Sequence, residues 1–267
     1  MLAAMLAVTQ NYKRGRPMRK FDMGEAWQQV AAMFRGNREI LITVAGLFFF
    51  LPTLIFTLVY PEPPVSVPGE TAQQMIDNMM EYYRTVAPGL LLSSLVSIIG
   101  NLAIWRLLLA EGGTSLGGAL SLSLTLFVSY IAASIISGFA IGLGFILLIV
   151  PGLYLACRLG LIGPAMMAEK IMNPVTAITA SWNYTRNNGL IILLFFVILV
   201  IVGSIAIIIA GAIFGALFAL LLPENIANIG NKTIQSLLGS GLSLIMTLAM
   251  ASVYRQLGPY INKETFE

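Results

Sequence analysis

The chain has 267 residues, 58% of them hydrophobic and only 10% charged, with a mean hydropathy of +0.87. Soluble domains carry about 25% charged residues, so this composition excludes a soluble globular domain and points to a polytopic membrane protein. The net charge of +3 comes from basic residues beside apolar stretches rather than from a soluble basic face, which argues against nucleic acid as a partner.

The first twenty residues, MLAAMLAVTQNYKRGRPMRK, are apolar first and basic second, the reverse of a secretory signal, so no cleavage is expected. Residues 1–20 read as a basic flexible extension, with Met18 a sensible alternative initiator, and residues 21–267 as one polytopic membrane domain. Six apolar segments follow, at about 38–60, 86–109, 122–145, 147–168, 189–221 and 233–255. Each is near or above the roughly 20 residues a helix needs to span the hydrocarbon core. Continuous apolar runs of this kind predict helices rather than a membrane barrel.

The connector 60–85 begins with a proline-rich extended stretch and then predicts a short helix over 71–83, with Met75, Met79, Met80 and Tyr83 on its apolar side. It reads as a solvated connector with one lipid-facing stripe, or as a lid over the outer face. Between the third and fourth segments, SGFAIGLGF supplies glycines and no charge, so a tight turn at the interface is expected there. The fifth segment is too long for one upright crossing and should tilt, bend near Gly203 or Gly211, or protrude. Small-residue spacing at Ser134, Gly138 and Gly142, and at Gly211 and Gly215, is expected to serve packing within the chain.

With six spans both termini share a side, and thirteen lysines and arginines fall on that side against Arg84 and Lys232 opposite. The positive-inside rule makes that side, and both termini, cytoplasmic. Cys157 lies inside an apolar run and reads as a small buried hydrophobe.

One order recurs three times: a short amphipathic segment, then an apolar hairpin whose second arm carries an arginine. The segments begin MGEAWQQVAAMFRGN, SLGGALSLSLTLFVS and NPVTAITASWNYTRN, with Ala26, Ala119 and Ala177 in register. The units run over about 22–110, 114–170 and 173–257, and their arginines are Arg106, Arg158 and Arg255. In the first segment Met23, Trp27, Val30, Ala31 and Phe34 share one helical face, and in the third Val175, Ile178 and Trp182 do. Such segments belong in the membrane interface with tryptophan and arginine at headgroup depth.

Arg158 falls about 15 Å inside the cytoplasmic end of the fourth segment. An arginine near a helix centre costs on the order of 2.5–3.5 kcal/mol on insertion scales, so it should face the bundle or a wet cavity. Its candidate partners are Glu111, a backbone carbonyl near Pro151 or Pro164, and an anionic lipid headgroup. The two prolines are expected to kink this span. Candidate contacts for anionic headgroups or a ligand are therefore Arg106, Arg158, Arg186 and Arg255, together with Glu169, Ser181 and Trp182.

PGLYLACRLGLIGPAMMAEK followed by AITASWNYTRNN resembles the uncharacterised YciC-type bacterial inner-membrane proteins and the related membrane domain of some glycerophosphoryl diester phosphodiesterases. The likeness rests on Pro151, Gly152, Arg158, Pro164, Glu169, Ala177, Ser181, Trp182, Thr185 and Arg186. In the phosphodiesterase fusions the chemistry sits in a separate soluble barrel that uses histidines, and this chain has none. The resemblance therefore implies a stand-alone membrane module of a bacterial inner membrane, without that activity.

Direct inspection agrees: there is no phosphate-binding lysine loop, no zinc-ligand cluster and no serine with a histidine base, hence no catalytic, metal or cofactor assignment. GGTSLGGALSLS at 112–123 reads as a helix start capped by Thr114 or Ser115. The expected function is non-enzymatic, organising or contacting anionic lipids at the cytoplasmic leaflet. The alternative is a transporter or lipid-moving protein with a cavity between the hairpins. Membrane lipids are the expected partners, with an unidentified membrane or cytoplasmic protein besides; oligomeric state leaves no signature.

Overall fold

Helix starts at one end of the molecule are fixed by short polar side chains that accept from backbone amides with no intrahelical acceptor. In the computed structural model, which describes residues 20–65 and 67–259, Asp22 accepts from the Glu25 amide at 2.7 Å and opens α1 (Met23–Ala45). Ser115 accepts from Gly118 at 3.2 Å and opens α4 (Leu116–Leu147). Asn173 accepts from Val175 and Thr176 at 2.9 and 3.3 Å and opens α7 (Pro174–Tyr184), whose first residue is a proline that needs no donor partner. Each cap lies four residues before one of the three aligned alanines, and Ala26, Ala119 and Ala177 are all 0% exposed.

The remaining helices complete an all-α chain. α1 loses helical geometry at Asn37, where the amphipathic segment gives way to the span, and continues through a π-helical turn (Gly46–Phe50) into α2 (Leu51–Val59). α3 runs Ala72–Leu109, α5 Ile149–Leu159, α6 Ile162–Glu169, α8 Gly189–Leu221 and α9 Glu224–Leu257. Six of these units are long and apolar enough to cross a membrane, and no strand occurs among the described residues. Pro52 lacks the amide that would bond back toward Phe48, and the Ser97 hydroxyl on α3 donates to the Phe48 carbonyl instead, at 3.2 Å.

Large, fully buried side chains gather toward one end. Leu102, Ile104 and Leu109 of α3, Met166 and Met167 of α6, and Leu248 and Tyr254 of α9 interlock there. At the other end α2 buries nothing and α8 buries nothing beyond Leu199. The core thus sits at the arginine-bearing end of the hairpins.

Several expectations need correction. The glycine stretch SGFAIGLGF does not turn; α4 continues through it, and the chain reverses at Leu148, the one extended residue between α4 and α5. Helix propensity is only modestly lowered by single glycines, so a long apolar helix absorbs them. Pro151 and Pro164 do not kink a helix. Each is the third residue of a new one, where its missing amide would have lacked an acceptor, and the break in the fourth span falls at Gly160 and Leu161.

The fifth span keeps helical geometry through Gly203 and Gly211, so at about 1.5 Å per residue its 33 residues tilt or protrude rather than bend. The second amphipathic segment is fused with its span in α4, and the short helix predicted over 71–83 is the first part of the long α3, opened by a Thr71–Gln74 capping box. Gly138, Gly142 and Gly211 have no neighbour within 4 Å of the point a Cβ would occupy, so the expected close packing inside the chain does not occur at them. The basic extension lies almost wholly outside the described residues, as does Lys263.

Candidate functional site

Arg158, at the end of α5, is 5% exposed, and no carboxylate pairs with it among the described residues. Its Nη2 donates to the Trp182 carbonyl at 2.6 Å and its Nη1 to the Tyr154 hydroxyl at 3.0 Å. The Trp182 ring covers the guanidinium, with Cζ 4.0 Å from the ring centroid, a cation–π geometry. In return the Ser181 hydroxyl donates to the Arg158 carbonyl at 2.8 Å, and Thr185 Oγ1 stands 3.2 Å from the same oxygen. Side chain and backbone of one residue therefore clasp α7 from both directions. The acceptor is not Glu111 or a carbonyl near either proline, as the sequence had led one to expect. It is the Trp182 carbonyl of α7.

The other two arginines repeat this chemistry. Arg106 Nη1 on α3 donates to the Met167 carbonyl at 3.0 Å, and Arg255 Nη2 on α9 donates to the Leu108 carbonyl at 2.7 Å. Met167, Trp182 and Leu108 each lie within the last four residues of a helix, α6, α7 and α3 respectively. Those are the positions whose carbonyls have no intrahelical donor and carry the negative end of the helix dipole. A cation there satisfies an orphan acceptor and meets a partial negative charge without needing a carboxylate. This is the physical reason that guanidinium groups can be withdrawn from water at this end. The order is cyclic: Arg106 reaches residues 114–170, Arg158 reaches residues 173–257, and Arg255 returns to residues 22–110.

Glu169 closes α6 at the surface, with Lys170 in the left-handed conformation after it. Tyr254 donates to its Oε1 at 2.7 Å, and the Tyr184 hydroxyl is 3.0 Å from both carboxyl oxygens. Burial first, and the neighbouring Glu169 charge second, push the Tyr184 phenol above its ordinary value, so Tyr184 remains a neutral donor. Glu169 is thus engaged with two phenols and joins α6, α7 and α9.

Two residues absent from the sequence-based set complete the site. Asn188 Oδ1 accepts from the Phe21 amide at 2.9 Å. Gln256 accepts from the Asp22 amide at 2.9 Å and donates to the Asp22 carbonyl at 3.0 Å, strapping the entry of α1 onto the end of α9. Arg186 enters this network only through its carbonyl, which accepts from Asn188 Nδ2 at 3.3 Å; its side chain is exposed beyond α7.

This helical architecture, with six membrane-length apolar units among the described residues, defines an all-α polytopic integral membrane protein. No family model, no curated protein and no solved structure matches the chain.

Proposed function

We propose that this protein is a non-enzymatic inner-membrane module, built from three similar units, that gathers anionic lipids at its cytoplasmic end. The observation that carries the reading is the outer face of α7. Val175 is 63% and Trp182 41% exposed, and the exposed cations Lys170 and Arg186 flank the helix at its two ends. α1 has the same character, with Trp27 54% exposed and Arg35 and Arg38 exposed beyond it. Apolar groups and an indole beside surface cations suit the boundary between acyl chains and anionic phosphates.

The division of labour among the arginines follows from their surroundings. Arg106, Arg158 and Arg255 hold helix ends together, while Arg186, with Lys170, Arg35 and Arg38, faces the headgroups. The YciC-type resemblance belongs to this proposal, and four of the residues that carry it, Arg158, Ser181, Trp182 and Thr185, meet in one clasp.

The test is lipid selectivity in nanodiscs of mixed phosphatidylglycerol and phosphatidylcholine, read by native mass spectrometry of the released protein. Retained phosphatidylglycerol should exceed phosphatidylcholine and fall several-fold in Lys170→Gln/Arg186→Gln, with thermal stability unchanged. Equal retention of both lipids would overturn the reading. Flux of lipid or solute across liposomes would replace it by transport.

A further inference from the structure

Trp105 provides a common reference level for the three hairpins. It belongs to α3, its Nε1 donates to the Thr247 carbonyl of α9 at 3.0 Å, and its ring packs directly on Gly163 of α6. From that level toward the outer side, α3 reaches Arg84 after twenty-one residues, about 31 Å at 1.5 Å per residue. Along α9 the chain reaches Lys232 after fifteen residues and Glu224 after twenty-three, about 22 and 35 Å. The fourth span starts from Gly163 and reaches its turn at Leu148 in fifteen residues, at most about 22 Å, and the break at Gly160 and Leu161 shortens that reach. Counted along the helices, the α4–α5 turn therefore stops short of Arg84 and Glu224. It lies no higher than Lys232, which reaches up to pair with Glu62 at 3.5 Å.

The chemistry of the turn matches its short reach. The other two outer connections carry Glu62 and Glu70, and Pro223 and Glu224. Residues 145–150 are Phe145, Ile146, Leu147, Leu148, Ile149 and Val150, exposed by 43 to 81%, without one polar side chain. Part of its backbone is paired as well. The Leu148 amide bonds to the Gly144 carbonyl at 3.0 Å, the Gly152 amide to the Leu148 carbonyl at 3.4 Å, and Pro151 has no amide. Gly144 and Gly152 allow the two helices to touch backbone to backbone; a Cβ on Gly144 would lie 2.9 Å from the Gly152 Cα. A turn in hydrocarbon has to minimise free amides and carbonyls, and these bonds with Pro151 leave the Ile149 and Val150 amides and the last carbonyls of α4 as the backbone groups still open at it.

We propose that the α4–α5 hairpin does not emerge into water on the outer side, and that its turn is solvated by the acyl chains of the far leaflet. The open apolar face of α4 formed by Ile135, Gly138, Phe139, Gly142, Leu143 and Ile146 then meets the same acyl chains.

The experiment uses the full chain in native membranes opened to both sides, with Cys157→Ser as background and single cysteines introduced by Leu148→Cys or Ile146→Cys. Val65→Cys and Asn225→Cys mark the aqueous outer connections. A membrane-impermeant maleimide should label the two markers at least ten-fold faster than either turn position, and detergent should abolish the difference. Spin labels at 146 and 148 should be relaxed by oxygen and not by a water-soluble nickel chelate. Labelling of Leu148→Cys as fast as Val65→Cys, or nickel relaxation there, would overturn the proposal. So would efficient disulfide cross-linking of Gly142→Cys between copies, which would show that protein covers this face.

Discussion

A guanidinium withdrawn from water without a carboxylate beside it requires compensation of several kcal/mol. At Arg158 it comes from a helix-end carbonyl, a phenol and an indole face, all within one side-chain length. Arginine suits this arrangement because its planar fork spans two acceptors while lying flat under Trp182, whereas an ammonium group is a compact point charge without that fork. Arg158→Lys should therefore lower stability by about 1–3 kcal/mol, the scale for a charged hydrogen bond left unmade. The exposed Arg186→Lys should change it by less than about 0.5 kcal/mol. Thermal unfolding in a mild detergent compares the two directly, and equal effects would contradict the clasp. At this scale the sequence exposed much of the site: an arginine in an apolar run is conspicuous, and Ser181, Trp182 and Thr185 follow it in a recognisable string. Asn188 and Gln256 were not legible. Their contacts join residues 167 and 234 positions apart, and an ordinary polar side chain gives no sign of the backbone amide it will meet.

Helix boundaries follow from where donors and acceptors run out. The caps at Asp22, Ser115 and Asn173 mark starts, and Pro151 and Pro164 sit just inside starts, which is why reading them as kinks of one long span failed. Periodicity reports that a segment is apolar and helical but not that two helices abut within it; the break at Gly160 and Leu161 has no polar residue to announce it. Glycines were misread for a related reason, since their role depends on what approaches them. A Cβ at Gly163 would run into the Trp105 ring, whereas at Gly138 it meets nothing within 4 Å. Gly163→Ala should cost about 1–3 kcal/mol by overpacking. Gly138→Ala should be neutral, or stabilising by up to about 1 kcal/mol through helix propensity. Unfolding temperatures of the two variants in one detergent test this contrast, and a destabilised Gly138→Ala would place a protein neighbour on that face.

The whole molecule is held by links that pass from one hairpin to the next and back to the first: Arg106 to Met167, Arg158 to Trp182 and Arg255 to Leu108. Lipid tails are as apolar as leucine, so spans gain little by hydrophobic association with one another, and packing and interhelical hydrogen bonds have to specify the assembly. Residues 173–257 are joined to the rest by one short connection after Lys170, yet meet it through Trp182, Thr247, Arg255 and Gln256. If those contacts rather than the connection define the arrangement, residues 1–170 and 171–267 expressed as two chains should assemble and co-purify in mild detergent. Arg255→Gln should leave the Leu108 carbonyl unpaired and reduce the recovered complex about ten-fold, the equivalent of roughly 1.4 kcal/mol and within the range for a hydrogen bond to a charged group. Arg186→Gln, outside the buried network, should leave recovery unchanged. Two chains that fail to associate, or an Arg255→Gln complex recovered in full, would show that chain connectivity and lipid pressure, not the arginine links, hold the third hairpin in place.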